Sequence, residues 1–264
     1  MRAICACVAV AALAGMAVAE EVELVPVKIQ YPKSLFGDNG PKLLKDIRES
    51  KTEPKEEQYP KVSLLKIGLP KPAQWPGSPG DLTDVVKNLD PHPYNAPRPP
   101  IIVPQGCGQL LSGGCKVTSS DLFPCVGDLP FVTDGRKEEA SDENVRLVLN
   151  DGLQWVQIDL GEQKEIYAVC LWHSFSPRVR VYHDVVVQVS GDPDFMDEVV
   201  TIFNNDHDNS AKLGAGKDFE YVETHEGRPI AVEGVKGRYV RCYSNGNIRD
   251  KSNTYVQVEV FGRK

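Results

Sequence analysis

No long stretch of this chain repeats its apolar residues at helical spacing, which argues against an all-α architecture. Basic clusters are also missing. The 264 residues carry 30 Lys and Arg against 37 Asp and Glu, a formal charge of −7, and the basic residues are scattered among acids. Nucleic acid needs concentrated positive charge to meet its phosphates, so it is excluded as a partner, and the pattern reads as a solvated surface. Catalytic signatures are absent as well. There is no His-Glu-x-x-His and no Gly-x-Ser-x-Gly, and GAGKD at 214–218 lacks both the glycine spacing and the hydroxyl residue of a phosphate loop. No two carboxylates stand out as a pair for glycoside hydrolysis. The expectation is a protein that is not an enzyme. Cys-x-x-Cys spacing is absent, which argues against structural zinc.

Long apolar runs are confined to the start. Arg2, the apolar stretch from Ile4 to Val18 and the small-x-small triplet Ala17-Val18-Ala19 have the layout of a signal peptide over residues 1–19. The expected protein is secreted or periplasmic and does not span a membrane. Five cysteines remain after that segment. Cys107, Cys115 and Cys125 are close in sequence, and export permits disulfides, so one bridge within this trio is expected. Cys170 and Cys242 stand alone in strand-like runs, Cys242 in phase with Val240 as a small buried apolar residue.

Proline is unevenly spread. Fifteen of the 20 prolines fall between Pro26 and Pro104. Proline removes backbone donors and pushes its predecessor toward extended geometry. Residues 20–105 therefore read as an extended, proline-rich arm without a core of its own. Within it KIQYPKSLFGDNGPKLL (28–44) resembles KIGLPKPAQWPGSPGDL (66–82). Two readings stand: a degenerate linker, or two apolar hooks that lie along a partner or along the globular domain.

From about residue 106 the texture changes to short β-runs. WVQIDLG at 155–161 alternates strictly, with Val156, Ile158 and Leu160 on one face and Trp155, Gln157 and Asp159 on the other. Further strands are expected at 153–160, 165–173, 183–190, 198–204, 221–225, 237–244 and 254–262, each rich in Val, Ile, Tyr or Phe and bounded by turn residues. Val256, Val258 and Val260 repeat the alternation. Strands at this spacing predict a sandwich or barrel.

The order of signals is Val117-Thr-Ser-Ser, Thr133-Asp-Gly, WVQIDLG, Ile166 to Leu171, Arg180-Val-Tyr-x-Asp-Val-Val-Val-Gln-Val-Ser, Gly237-Arg-Tyr-Val-Arg and Val258-Glu-Val-Phe-Gly. This series resembles the discoidin, or coagulation factor 5/8 C-terminal, domain over residues 106–264. The resemblance implies an all-β, antiparallel β-sandwich jelly roll of the galactose-binding-like type. It also implies ligand binding by loops at one end, and a structural calcium ion. Asp134 matches the acid of the family's Asp-Gly turn. Gln257 stands where the family has a last-strand acid, and Glu259 follows on the same face.

Three loops carry chemistry suited to paired hydroxyls and to the C–H face of a sugar. The stretch 172–184 offers Trp172, His173, Phe175, Arg178 and His183. NNDHDNS at 204–210 offers Asp206, His207, Asp208 and Asn209. The stretch 244–255 offers Asn245, Asn247, Arg249 and Tyr255. NNDHDNS alternates oxygen ligands but lacks the glycine and glutamate positions of a calcium-binding EF loop. Two functions follow: an exported lectin-like protein that binds a glycan, or a structural adaptor whose sandwich and proline-rich arm bind a partner protein.

Overall fold

The alternation at 155–161 places its faces as period two requires. Val156 and Ile158 are fully buried and Leu160 nearly so. On the outer face the Trp155 ring lies 4.3 Å from the Arg241 guanidinium. Asp159 accepts two hydrogen bonds from Arg238, at 2.7 and 2.8 Å.

The computed structural model describes residues 61–72, 82, 85–138 and 145–263. The expected signal peptide, the first repeat copy and most of the second lie outside the described residues. The described residues belong to one compact unit, Pro60–Lys264.

Ten strands are present among the described residues: β1 (Val62–Leu64), β2 (Ile102–Pro104), β3 (Gln109–Leu110), β4 (Lys116–Ser119), β5 (Leu147–Leu149), β6 (Gln154–His173), β7 (Val186–Ser190), β8 (Val200–Asn204), β9 (Arg228–Ser244) and β10 (Asn253–Arg263). The main sheet has the order β3-β10-β6-β9-β7-β8, with β4 paired to β6 and β5 to β10. Its pairings are antiparallel. The protein is an antiparallel β-sandwich, as the sequence predicts.

The frame is the β6–β9 ladder. It pairs Gln154 with Ser244 at one end and Leu171 with Arg228 at the other, and shifts register between Asp159 and Lys164. Gly161 sits in that shift at φ +83°, a conformation glycine adopts without strain. The two strands expected at 153–160 and 165–173 are thus one bent strand. The halves face each other across the core: the Tyr255 hydroxyl on β10 donates to the Cys242 carbonyl on β9 at 3.0 Å. The ladder's two ends therefore meet at one end of the molecule.

Two strand expectations are corrected. Residues 221–225 form no strand. Tyr221 is instead wedged edge-on against Phe203 at 6.0 Å and under the Arg228 guanidinium at 4.9 Å, which leaves the segment buried but irregular. In β10 the register shifts between Tyr255 and Gln257. Val256 therefore joins the outer cluster, while Val258 and Val260 stay in the inner core.

Described parts of the proline-rich segment form an outer layer on the sandwich. Leu65, Ile101 and Val103 cover Ala168, Cys170, Trp172, Phe175, Val256 and Phe261. Leu82 and Val86 pack on Val179, Val181 and Val222. Each such side chain contributes roughly 1.5–3 kcal/mol by leaving water. Asp90 fixes the segment through Arg228 at 2.7 Å and Arg98 at 3.7 Å. The compact unit accordingly begins at Pro60, not at the change of composition near residue 105.

The disulfide expectation is corrected too. Cys107, Cys115, Cys125, Cys170 and Cys242 are all free thiols. Cys115 donates to the Leu111 carbonyl at 3.2 Å, Cys125 to Asn150 Oδ1 at 3.0 Å, and Cys107 accepts from Arg263 at 3.3 Å. Each sulfur of the trio has its own separate partner.

Candidate functional site

The loop after β6, the loop after β8 and the loop after β9 meet at the end where the ladder's two ends converge. Backbone bonds tie them together. His183 N–H donates to the Gly246 carbonyl, and Asn245 N–H to the His183 carbonyl. Asn205 N–H donates to the Val185 carbonyl in the same way. Between the loops lies an open cleft of about 410 Å³, lined by Val85, Lys87, His183, Asp184, Asn205, His207, Asp208, Ser210, Glu220 and Asn245. That size suits a small polar ligand.

His183 donates through Nδ1 to Glu220 Oε1 at 2.8 Å. Glu220 holds the imidazole pKa above its ordinary value, against the opposing effect of partial burial. Nε2 is then the ring nitrogen left for a ligand. Asp184 occupies left-handed backbone at φ +52°. Its Oδ2 accepts from Asn245 Nδ2 at 2.8 Å and from the Ser210 hydroxyl at 3.1 Å. Asp206 is fully buried and accepts the Ser210 and Ala211 N–H groups, one on each oxygen. Asp208 is held below the usual carboxylate range by hydrogen bonds from Ser210.

Asn205 differs from these. It is 1% exposed, and its Oδ1 accepts the Val185 N–H at 2.7 Å, which fixes the amide orientation. Its Nδ2 has no hydrogen-bond partner. A buried donor without an acceptor is costly; this nitrogen is sealed from solvent, although the residue borders the cleft.

Of the candidate residues read from the sequence, His183, His207, Asp208 and Asn245 line this cleft, and Asp206 lies directly beneath it. The others do not. Trp172 is fully buried, its indole N–H donating to the His225 carbonyl at 3.0 Å, and it lies under the layer from the proline-rich segment. Phe175 belongs to the same outer cluster. His173 is fully buried and bonded to Glu223 at 2.7 Å, with its ring stacked 4.3 Å from Tyr182. Tyr255 is a core residue that bonds Ser244 and Cys242. None of these four can offer a surface to a sugar. Arg178 and Arg249 are exposed but do not line the cleft. Asn209 holds a turn by accepting Gly214 N–H, and Asn247 braces its own loop through Asp250 and Ser252.

The cleft residues missed from the sequence are Asp184, Asn205, Ser210, Glu220, Val85 and Lys87. Asp184 and Asn205 adjoin candidate residues, so alternation into the loops could have found them. Glu220 could not be found that way. Its backbone is pinned by Asn88 and Asp90 of the proline-rich segment, a contact that sequence order conceals.

The expected calcium ligands do not fit an ion. Asp134 accepts from the Arg136 backbone N–H and from its Nε, both at 2.8 Å. Gln257 Oε1 accepts the Gly135 N–H at 3.3 Å. Glu259 pairs with Lys137 Nζ at 2.6 Å. Lys137 also donates to the Gly68 carbonyl at 2.5 Å and lies 4.2 Å from the Trp172 ring centroid. The protein's own ammonium thus takes up the carboxylate that an ion would need.

A wider depression of about 840 Å³ lies at the bend, lined by Gly161, Glu162, Asp192, Asp197, Glu198 and Arg238 among others. Three of its polar side chains are committed locally: Arg238 to Asp159, Glu162 to Lys164, and Asp192 to the turn that follows it.

No family model and no curated protein matches the chain. Among solved structures, the chain is similar to carbohydrate-binding modules. Chitosan-binding module 1 of a chitosanase/glucanase from Paenibacillus sp. IK-5 is 18% identical, covering 58% of this chain and 99% of that one with a TM-score of 0.41. The CBM32 of AlyQ in complex with 4,5-unsaturated mannuronic acid is 18% identical, covering 55% and 93% with a TM-score of 0.39. CpGH89CBM32-5 from Clostridium perfringens, in complex with GalNAc-beta-1,3-galactose, is 15% identical, covering 58% and 99% with a TM-score of 0.42.

Proposed function

We propose that this is an exported, non-catalytic carbohydrate-binding protein whose ligand sits in the loop-end cleft. The observation that carries the reading is the cleft itself, where His183, Asp184, Asp208, Ser210 and Asn245 of three different loops line one open depression. Carboxylates, imidazoles, a hydroxyl and two amides line it, together with the Lys87 ammonium and Val85. A sugar hydroxyl both donates and accepts, so it can bond an imidazole N–H and a carboxylate of this lining together. The cleft has no Trp, Tyr or Phe ring among its described lining residues. Recognition therefore rests on hydrogen bonds rather than on stacking, and monovalent affinity is weak because water is exchanged for similar bonds. Binding without chemistry is the better reading, because Asp184 and Asp206 are taken up by neutral donors and His183 by Glu220. The discoidin-like order of sequence motifs supports ligand binding at this end, and the apolar amino terminus supports export.

The test is calorimetric titration of neutral and charged oligosaccharides into the purified chain, alongside His183→Ala. Saturable binding is expected, weakened about tenfold or more in the variant, or roughly 1.4 kcal/mol. Binding that is unaffected by His183→Ala would place the ligand elsewhere.

A further inference from the structure

We infer that residues 88–90 of the proline-rich segment position the cleft histidine: they hold Glu220, Glu220 orients the His183 imidazole, and docking of the segment is thereby coupled to ligand binding. The coupling rests on the carbohydrate-binding reading of the cleft, whereas the positioning of the imidazole does not. The backbone of His183 is fixed by bonds to the Gly246 carbonyl and from the Asn245 N–H, but those bonds leave the ring free to turn about its side-chain torsions. The ring is held through Nδ1 by Glu220 Oε1 at 2.8 Å, and that bond decides where Nε2 points. The His183 side chain is 36% exposed and that of Glu220 8%, so the carboxylate is the fixed partner and the ring follows it.

Glu220 lies in the irregular chain between β8 and β9, outside the main ladder. The proline-rich segment supplies what the ladder does not. Leu89 and Glu220 form a parallel bridge. Glu220 N–H donates to the Asn88 carbonyl at 3.0 Å, and Asp90 N–H donates to the Glu220 carbonyl at 2.7 Å. Both backbone polar groups of Glu220 are thus satisfied by this segment. Asn88 Nδ2 adds a bond to the Asp218 carbonyl at 3.2 Å. The segment is itself anchored twice. Asp90 pairs with Arg228 at 2.7 Å and with Arg98 at 3.7 Å, and Leu89 packs against the cluster that contains Val86, Val181 and Val222. Val85 and Lys87, just before the bridge, line the cleft directly.

Contacts therefore run without a gap from Arg228 through Asp90 and Glu220 to His183. A ligand bonded by Nε2 gains from a ring that is already oriented, because its rotamer need not be fixed on binding. Linkage makes the effect reciprocal: ligand bound to the oriented ring holds the proline-rich segment down to the same degree. A segment that only covered apolar surface would stabilise the fold and leave the ring where it is.

The test compares the full chain with Asp90→Ala, Asp90→Glu, Leu89→Ala and Glu220→Gln at one fixed pH. The His183 ring signals are read by NMR, and affinity is read by calorimetry with galactose, glucosamine and galacturonic acid oligosaccharides. Asp90→Ala is expected to move the ring signals toward those of Glu220→Gln and to weaken binding at least about fivefold, the lower end for coupled sites. Asp90→Glu should restore both in part. Adding Asp90→Ala to Glu220→Gln should weaken binding no further, because both act through one carboxylate. Leu89→Ala loosens the segment by removing apolar contact rather than charge, and gives the same ring shift should Asp90→Ala fail to fold. Bound saccharide should also slow hydrogen exchange at the Asp90 and Glu220 amides. Faster exchange at those amides in the variants with unchanged ring signals overturns the inference and leaves carbohydrate binding standing. Additive losses in the double variant overturn it as well, since the segment would then act by another route. No binding of any of these saccharides overturns the carbohydrate reading and the coupling with it, while the ring signals still decide whether the segment positions His183.

Discussion

Lys137 holds its ammonium 2.6 Å from the Glu259 carboxylate, and both side chains are almost wholly buried. Removing one member of such a pair leaves the other as an uncompensated charge, which costs about 3–5 kcal/mol. Lys137→Met is therefore expected to lower unfolding free energy by roughly 3 kcal/mol, read by urea denaturation. Neither calcium nor EDTA should move the melting temperature of the unmodified protein. A calcium-induced rise that persists in Asp208→Asn would show that an ion displaces the lysine, since that variant removes a carboxylate of the Asp184, Asp206 and Asp208 cluster.

A protein shortened to residues 106–264 should aggregate or bind hydrophobic dye. Without Leu65, Ile101 and Val103, the outer face bearing Trp172, Phe175, Cys170 and Val256 meets water. Its tryptophan emission should shift to the red relative to residues 60–264. A monomeric short form with native emission would show that the outer layer is dispensable.

Thiol titration distinguishes the cysteines. Cys125 is exposed and should react first. Cys115 is half-buried with its pKa raised by desolvation, and should follow slowly. Burial pushes Cys242 up to about 12 and raises Cys170 further, so these two should react only on unfolding, with buried Cys107. All five should then titrate without reductant. A deficit of two would reveal a disulfide.

The His183–Glu220 pair gives a pH signature. The folded-state pKa of His183 lies above its ordinary value, first through the hydrogen bond to Glu220. Its contribution is fully present below the unfolded value of about 6.5 and is lost as pH rises through the folded value. The melting-temperature gap between the unmodified protein and Glu220→Gln should be widest in mild acid and close toward alkaline pH. A gap that is constant with pH would mean that the pair contributes only neutral hydrogen bonding.

What the sequence reveals follows from range. Alternation is local, so it places Val156, Ile158 and Leu160 on the buried face by spacing alone. His183 and Asn245 are legible for the same reason, since each adjoins a strand end. Trp172, Phe175 and Lys137 are not. Their surroundings come from Leu65, Ile101 and Gly68, far away in sequence and inside a segment whose prolines suggest solvent. Proline there does exclude long helices, but it does not prevent individual apolar side chains from packing. His173 and Tyr255 mislead for a related reason. They stand at strand ends, yet the bend at Gly161 folds both halves of the ladder over them.

That bend has a bearing on how the cleft can change. The β6–β9 ribbon works as a spring clip: its two tips carry the opposing jaws that hold His183 and Asn245. Exchanging residues within the jaws retunes the grip and leaves the spring untouched. Inserting one residue into the ribbon would invert every side chain beyond that point, and the jaws would no longer meet.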